Sequence, residues 1–195
     1  MNSKYRLILM ILFSVVIVTI FRVLTRDKKL SSPTEYKKYS LFESTLKIQT
    51  PFELKEEEVE NPKPDMIDKA WGSSYESKNG FFIISAYKLR KGAKISTLDK
   101  SVELLLAYID KSRDAHSKVN TQDSVVINNV HFKKFIGVQI LNSNDLINKR
   151  ENYNFDVLVT SNSRYSYLIY MDENINNSDA QTVKEKIFSS ITIAQ

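Results

Sequence analysis

Hydrophobic and polar residues alternate along Ser124–Asp172 in three consecutive runs that are separated by short polar breaks. In the middle run Tyr153, Phe155, Val157 and Val159 fall on one face, and the residues between them fall on the other. This two-residue period is typical of a half-buried strand. We therefore predict an antiparallel meander of three strands at the centre of the domain.

Two further segments before the meander have strand patterns. Ala70–Ser77 and Phe81–Leu89 are strand-like runs joined by the sequence Lys-Asn-Gly, and Asn-Gly favours a hairpin because it tolerates positive φ. Leu46–Ile48 predicts a short strand that ends before Pro51, since proline cannot donate to a strand ladder. At the other end of the chain, Ser189–Ala194 is apolar enough for a short strand or a packed tail.

Two stretches, Ser96–Asp114 and Asn177–Phe188, have the apolar spacing of amphipathic helices. Each opens with a serine that is followed three residues later by Asp or Gln, which is the spacing of an N-terminal cap. One face of each helix must be buried, and the sheet is the available surface. The positions that we expect to face the sheet are Val102, Leu105, Leu106 and Ile109 in the first helix, and Ala180, Val183 and Ile187 in the second.

The N-terminal stretch Leu7–Phe21 contains only uncharged and mostly aliphatic residues. It is shorter than the roughly 17–25 residues of a membrane-spanning helix, but Arg22 can extend its side chain to the interface, so that Leu7–Leu24 would just cross a bilayer. A cleaved signal peptide is the alternative, and it would need small residues where the flank reads FRVLTRDKK. We predict an uncleaved anchor at residues 1–24, a polar linker at residues 25–39 and a single globular domain at residues 40–195.

Basic residues flank both ends of this stretch, so the orientation in the membrane rests on two opposing arguments. The C-terminal flank carries more of them than the N-terminal flank, and the positive-inside rule taken literally places the domain in the cytoplasm. However, a basic stub before a short apolar stretch is how secretory signals begin, and large domains are exported regardless of moderate flanking charge. We therefore expect a single-pass protein of the bacterial inner membrane with its domain on the extracytoplasmic side.

The charge distribution argues against nucleic-acid binding. The whole chain has a net charge of +5, and residues 1–30 account for all of it with six basic residues and one acidic residue. The remaining residues then carry 28 − 6 = 22 basic and 23 − 1 = 22 acidic side chains, so the globular part is neutral. Phosphate binding requires basic groups gathered on one surface. The absence of cysteine excludes disulfides, thiol catalysis and thiolate metal sites.

The sequence contains no convincing catalytic or metal-binding motif. His116 and His131 are candidates for acid–base or metal chemistry because imidazole titrates near neutrality, but neither has a partner at ligand spacing. There is no nucleophile-elbow serine, glycine-rich phosphate loop or zinc-binding helix motif. We interpret the acidic run in Phe52–Glu60 as a solvated turn and not as a cation site. Asp172–Asp179 begins like a calcium loop but lacks its glycine and its bidentate acid. We predict no catalytic residue, cofactor or metal ion, and therefore no enzyme.

Four tyrosines in the meander are candidate contact residues. Exposed tyrosines often mark partner interfaces because they offer a large contact area, a polar tip and a small entropic cost. Aromatic residues that alternate along strands are more often part of the core, and we favour the core over the interface here. The possible interface residues are Tyr153, Tyr165, Tyr167 and Tyr170.

The order of these elements resembles the PsbP-like family. The resemblance rests on a strand that ends in proline (LKIQTPF), an Asn-Gly hairpin (YESKNGFFIISAY), one amphipathic helix (SVELLLAYID), the meander, and a final helix that runs into KIFSSITI, and it covers residues 40–195. It implies an α+β domain in which helices flank an antiparallel sheet. Members usually have glycine where Asn129 stands before the meander. The family implies accessory or protein-binding subunits without catalytic activity, and no functional residue transfers to this chain.

Two functional hypotheses follow from these observations. The first is a membrane-anchored, non-enzymatic domain that binds a protein partner or assists the assembly of an envelope complex. The second is a carrier of a small apolar ligand or lipid in a pocket between the sheet and the helices. A deep cavity lined with aromatic side chains would favour the carrier over a flat tyrosine surface.

Overall fold

The computed structural model describes residues 35–59, 65–77, 80–93, 98–142, 151–175 and 178–194. The anchor predicted at residues 1–24 and most of the predicted linker lie outside these residues. Within the described ranges, no helix is both long enough and apolar enough to cross a membrane.

The described residues form two antiparallel sheets and two helices. The small sheet has the order β1-β2-β10, and the large sheet has the order β3-β4-β5-β9-β8-β7-β6. The strands are β1 (Lys37–Leu41), β2 (Leu46–Thr50), β3 (Glu57–Val59), β4 (Ile67–Ser77), β5 (Gly80–Leu89), β6 (Ala115–Ile127), β7 (Val130–Leu141), β8 (Glu151–Ser161), β9 (Tyr165–Asn174) and β10 (Thr192–Ile193), and the helices are α1 (Leu98–Arg113) and α2 (Ser178–Ser189).

The two faces of the large sheet are covered by different elements. Helix α1 buries Val102, Leu105, Leu106 and Ile109 against one face, as its spacing predicts. Helix α2 and the small sheet cover the other face, where Val183 and other residues of α2 join a large apolar cluster. The domain therefore has three layers: α1, the large sheet, and a mixed layer of α2 with the small sheet. This α+β arrangement confirms the predicted antiparallel meander with helices packed on its sheet.

The small sheet was not predicted as a separate sheet. Its first strand, Lys37–Leu41, begins inside the stretch predicted to be a linker, so residues 37–39 are paired with β2. Of the five side chains of β1 only that of Leu41 is buried. A strand with one buried position has almost no apolar period, which is why the pattern reads as a linker.

Strand β6 is longer than the pattern in residues 119–127 suggests. It pairs with β7 from Ala115 to Ile127, with a register shift between Val119 and Thr121 that is typical of a β-bulge. Most of its side chains are exposed because β6 is the edge strand of the sheet. The turn that follows uses Asn128 (φ 48°) and Asn129 (φ 65°). Asparagine tolerates this left-handed conformation, so the turn needs no glycine here.

Candidate binding cavity at the turn end of the sheet

Three tight turns and the C-terminal strand meet at one end of the domain and enclose a cavity of about 590 Å³. The turns are those between β1 and β2, between β6 and β7, and between β8 and β9. We call this space the turn-end cavity. It is lined by Thr45, Asn129, Val130, His131, Thr160, Ser161, Asn162, Ser163, Arg164, Tyr165, Tyr167, Ile193 and Ala194.

The turn between β8 and β9 places Arg164 beside the cavity. The side-chain oxygen of Asn162 accepts hydrogen bonds from the backbone N–H groups of Arg164 (2.9 Å) and Tyr165 (2.7 Å), which closes the turn. The guanidinium of Arg164 lies 6.0 Å from the centre of the Tyr165 ring. Arg164 is exposed, and no carboxylate pairs with it in the part of the chain that the structure describes. It is therefore a free cation at the rim.

Tyr167 carries a buried hydroxyl that has no hydrogen-bond partner among the described residues. The residue is 1% exposed. Burial raises the pKa of Tyr167 to about 12, while the neighbouring hydroxyl of Thr45 lowers it by a smaller amount. The Thr45 hydroxyl donates its own proton to the carbonyl of Phe42 (2.6 Å). A buried polar group without a partner costs about 1–3 kcal/mol, so this hydroxyl calls for an explanation.

The turn between β1 and β2 is strained. Phe42, Glu43 and Ser44 have φ values of 56°, 57° and 64°, which is the left-handed region that residues with a side chain avoid. Such a conformation costs about 1–3 kcal/mol per residue and persists only where the surroundings enforce it. Here the N–H of Phe42 donates to the carboxylate of Glu56 (2.5 Å), and Thr45 donates twice to the carbonyl of Phe42. Strain of this kind is concentrated at functional sites.

Glu43, in the same turn, is already neutralised by its neighbours. Its carboxylate accepts hydrogen bonds from Lys88 (2.8 Å) and from the hydroxyl of Tyr165 (3.0 Å). The hydrogen bond from Lys88 lowers the pKa of Glu43. Burial raises the pKa of Tyr165, and the contact with Glu43 adds to this effect. Tyr165 is thus fixed as a wall of the cavity, and the carboxylate of Glu43, which it contacts, is already paired with Lys88.

Two networks of buried charges lie inside the domain. In the first, the Arg113 network, Arg113 of α1 makes an ion pair with Asp172 of β9 and donates to Gln139 (3.0 Å). Asp172 also accepts hydrogen bonds from the hydroxyl of Tyr170 (2.8 Å) and the N–H of Phe81 (2.8 Å). Each charged group has an opposite partner, so this network connects α1 to the sheet.

The second network, the Lys184 network, connects α2 to the opposite face. Lys184 donates to Asp156 (2.6 Å) and to Glu173 (2.8 Å), and Asp156 also pairs with Lys134 (2.7 Å). Burial alone would lower the pKa of Lys184, but the carboxylates of Asp156 and Glu173 together raise it by more, so the net shift is upward. One carboxylate oxygen of Glu173 has no partner among the described residues. The network is otherwise saturated.

The structure buries all four tyrosines that the sequence marks as possible interface residues. Tyr153, Tyr165, Tyr167 and Tyr170 are 3%, 7%, 1% and 0% exposed. Side chains alternate between the two faces of a sheet, and in the register of β8 and β9 Tyr153 and Tyr170 point to the α1 side. Tyr165 and Tyr167 point to the α2 side. They do not form one exposed surface, and only Tyr165 and Tyr167 line the cavity.

The histidines are separated as well. His116 is exposed on β6, and His131 is exposed at the start of β7, where it belongs to the lining of the cavity. The hydroxyl of Thr160 donates to the backbone carbonyl of His131 (2.7 Å) and not to its ring. This pair therefore lacks the hydrogen bond between hydroxyl and imidazole that activates a nucleophile. The arrangement is suited to binding.

Sequence reasoning missed Arg164 and Thr45 as site residues. The turn at Ser161–Arg164 was predicted, but Thr45 comes to it from more than one hundred residues away in the chain. The contact depends on the small sheet, which the sequence pattern does not reveal. The sequence does contain an indication that Asp156 is paired, because a carboxylate among the apolar residues of a strand needs a buried partner.

No family model matches the chain, and a search of curated proteins finds no match. Solved structures with a similar fold include cyanobacterial PsbP (CyanoP) from Synechocystis sp. PCC 6803, with 11% identity, a TM-score of 0.46 and coverage of 86% of this chain and 98% of that one. A PsbP structure is thus among the solved structures to which this chain is similar.

Two other similar structures come from different organisms. The Ran-binding protein Mog1p of Saccharomyces cerevisiae has 11% identity and a TM-score of 0.40, with coverage of 82% of this chain and 95% of that one. A crystal structure from Bacteroides thetaiotaomicron VPI-5482 has 12% identity and a TM-score of 0.45, and this chain covers 48% of its length. At these identities the likeness concerns the fold alone.

Proposed function

We propose that this chain is a membrane-anchored, non-enzymatic binding domain that holds a protein partner at the turn-end cavity. The observation that carries the proposal is the buried hydroxyl of Tyr167, which lacks a partner within the described chain and belongs to a residue that lines the cavity. A group from outside the chain that accepts a hydrogen bond would remove this cost. The free cation of Arg164 beside the same cavity supports a polar contact there.

The non-enzymatic part of the proposal rests on the chemistry of the lining. The cavity offers hydroxyls, amides and one guanidinium, and its one imidazole is exposed and receives no hydrogen bond from the neighbouring Thr160 hydroxyl. Acid–base catalysis needs a titratable group within hydrogen-bond reach of a reacting atom and a second group that orients it. The described lining provides donors for binding without such a pair.

The anchor and its location are carried by Leu7–Leu24, which lies outside the described residues. The lack of charge in Leu7–Phe21 and the length of Leu7–Leu24 support a single helix across the bacterial inner membrane. The domain would then be held on the extracytoplasmic side. Protease treatment of cells with a permeabilised outer envelope tests this arrangement, because an external domain is digested while a cytoplasmic one is protected.

Site-specific photocrosslinking of the full chain in cells tests the binding site. A photoreactive phenylalanine replaces Ser163, which is exposed on the cavity rim, or Glu103, which is exposed on α1 in the opposite layer. We expect a discrete crosslinked protein from position 163 and none from position 103. Equal crosslinking at both positions, or none at position 163, would contradict the proposed site.

The same experiment tests the alternative function. A carrier of a small apolar ligand would give a crosslinked lipid or small molecule at position 163 instead of a protein. The apolar part of the lining, Val130, Ile193 and Ala194, favours this alternative. Against it, the cavity lies at the turn end of the sheet and not between the sheet and the helices, and Arg164 is part of its lining.

A further inference from the structure

We propose that the group recognised in the turn-end cavity is a carboxylate, bound by the guanidinium of Arg164 at the rim and by the hydroxyl of Tyr167 in the wall. This inference rests on the proposed function, and it names the chemistry of the contact. A carboxylate can be supplied in two ways, by a small free acid or by the C-terminus of a partner protein.

The charge of the lining favours an anion. Among the described residues that line the cavity, Arg164 is the one lysine or arginine, and none is an aspartate or glutamate. Glu43, which contacts Tyr165, is occupied by Lys88 and makes no ion pair with Arg164. An uncompensated cation beside a partly enclosed cavity attracts a negative group more strongly than it would in bulk water.

The hydrogen-bonding groups of the lining also favour an acceptor. The side-chain oxygen of Asn162 is used twice by its own turn. The hydroxyl of Thr160 donates to a backbone carbonyl, and that of Tyr165 donates to Glu43. The buried hydroxyl of Tyr167 and the guanidinium of Arg164 have no acceptor among the described residues, so both can donate to a bound group that accepts hydrogen bonds. The side chains of Asn129, Ser161 and Ser163 can add further donors.

A carboxylate fits these donors better than a phosphate does. Phosphate sites gather several cations or a cluster of backbone N–H groups, whereas a single guanidinium matches the planar, singly charged carboxylate. The apolar side chains of Val130, Ile193 and Ala194 also line the cavity, and they would cover the carbon chain that carries the carboxylate. The expected ligand is therefore a monoanion attached to a short apolar body.

The wall must move for the ligand to reach Tyr167, because this hydroxyl is buried in the structure. Thr45 is the wall residue whose hydroxyl interacts with it. Thr45 also donates to the carbonyl of Phe42 and so holds the strained turn together. Binding at Tyr167 is therefore coupled to the conformation of the turn between β1 and β2.

The test uses the full chain in detergent micelles with ¹³C at the ring carbon that bears the tyrosine hydroxyl. The Tyr167 resonance is assigned by its loss in Tyr167→Phe. Three probes are titrated: the peptide acetyl-Ala-Val-Leu with a free carboxylate, the same peptide as its C-terminal amide, and hexanoate. We expect the free acid to shift the Tyr167 resonance and to bind at least about tenfold more tightly than the amide, as a charged hydrogen bond implies.

Variants connect the affinity to the proposed donors. Arg164→Gln should weaken binding of the free acid by about tenfold or more and leave the amide unchanged. Arg90→Gln removes another exposed arginine, which lies outside the lining, and should change the affinity for neither the free acid nor the amide. Equal binding of acid and amide, or a free acid that never moves the Tyr167 resonance, would overturn the carboxylate inference.

The outcomes separate this inference from the proposed function. If hexanoate binds as tightly as the peptide acid, the source is a free carboxylate; if only the peptide acid binds, the source is a protein C-terminus. If acid and amide bind alike while position 163 still crosslinks to a protein, the proposed function stands and the carboxylate inference falls. If position 163 crosslinks to nothing, the proposed function itself fails.

Discussion

The Arg113 network and the turn-end cavity both contain tyrosines of β9, but they differ in whether those tyrosines find partners within the chain. Tyr170 is fully buried and donates to Asp172, which is itself neutralised by Arg113. Tyr167, three residues earlier and equally buried, has no hydrogen-bond partner among the described residues. The same residue type on the same strand is thus satisfied on one face and unsatisfied on the other.

This difference separates polar groups that hold the fold from polar groups that are available to a partner. The Arg113 and Lys184 networks each connect a helix to the sheet, and their charges are paired. A buried charge pair adds little net stability over an apolar pair, but breaking it leaves the other charge uncompensated. At the cavity the buried hydroxyl of Tyr167 has no partner and costs stability in the isolated chain, whereas the exposed guanidinium of Arg164 is solvated. Both groups can gain free energy when they bind a partner.

The largest effect is expected from removing the acid of the Arg113 network. Asp172→Ala leaves the buried Arg113 without its partner and should lower the free energy of unfolding by about 3–5 kcal/mol. Urea denaturation of the full chain in detergent measures this, with the fluorescence of the buried Trp71 as the signal. The control Asp123→Ala removes an exposed acid and should change stability by less than about 0.5 kcal/mol. Comparable losses in both variants would show that the network is not structural.

The next largest effect compares the two tyrosines directly. Tyr170→Phe removes a hydrogen bond to the carboxylate of Asp172 and should cost about 1.5–3 kcal/mol, as expected for a bond to a charged group. Tyr167→Phe removes a buried hydroxyl without a partner and should raise the free energy of unfolding by about 1–3 kcal/mol. The same denaturation experiment applies. A large loss in Tyr167→Phe would mean that its hydroxyl is satisfied within the chain.

Much of the fold follows from local patterns. The meander, the pairing of β4 with β5 and both helices are predictable because each has a buried face with its own period. The small sheet is not, since β1 has one buried side chain and β10 has two residues that pair with β2 from the far end of the chain. Its existence depends on contacts between residues that are distant in sequence.

The candidate site is less predictable for the same reason. The turn at Ser161–Arg164 is visible in the sequence, but the cavity exists only where this turn meets Thr45 and Ile193. The sequence pattern also gives no means of distinguishing Tyr167 from Tyr170, since both alternate with apolar neighbours. Their roles are set by what lies opposite on each face, Asp172 and Arg113 in one case and the cavity wall in the other.

The loss of stability at alkaline pH gives a third comparison, between the parent chain and Tyr167→Phe. Because the pKa of Tyr167 is raised to about 12 in the folded chain from an ordinary value of 10.0, the two states bind its proton equally below pH 10. Above pH 10 the unfolded state loses this proton first, so stability falls as the pH rises to about 12. Tyr167→Phe removes this contribution, and its stability should fall less steeply over the same range. Parallel curves for the parent and the variant would contradict the burial of the hydroxyl.

The smallest effect concerns the strained turn beside the cavity. Ser44 is exposed and has a φ of 64°, so Ser44→Gly should relieve strain and raise the free energy of unfolding by about 1 kcal/mol. Ser40→Gly is the matched control: Ser40 is exposed in the extended strand β1, where glycine should cost about 0.5–1 kcal/mol. Opposite signs in urea denaturation would show that the strain is real.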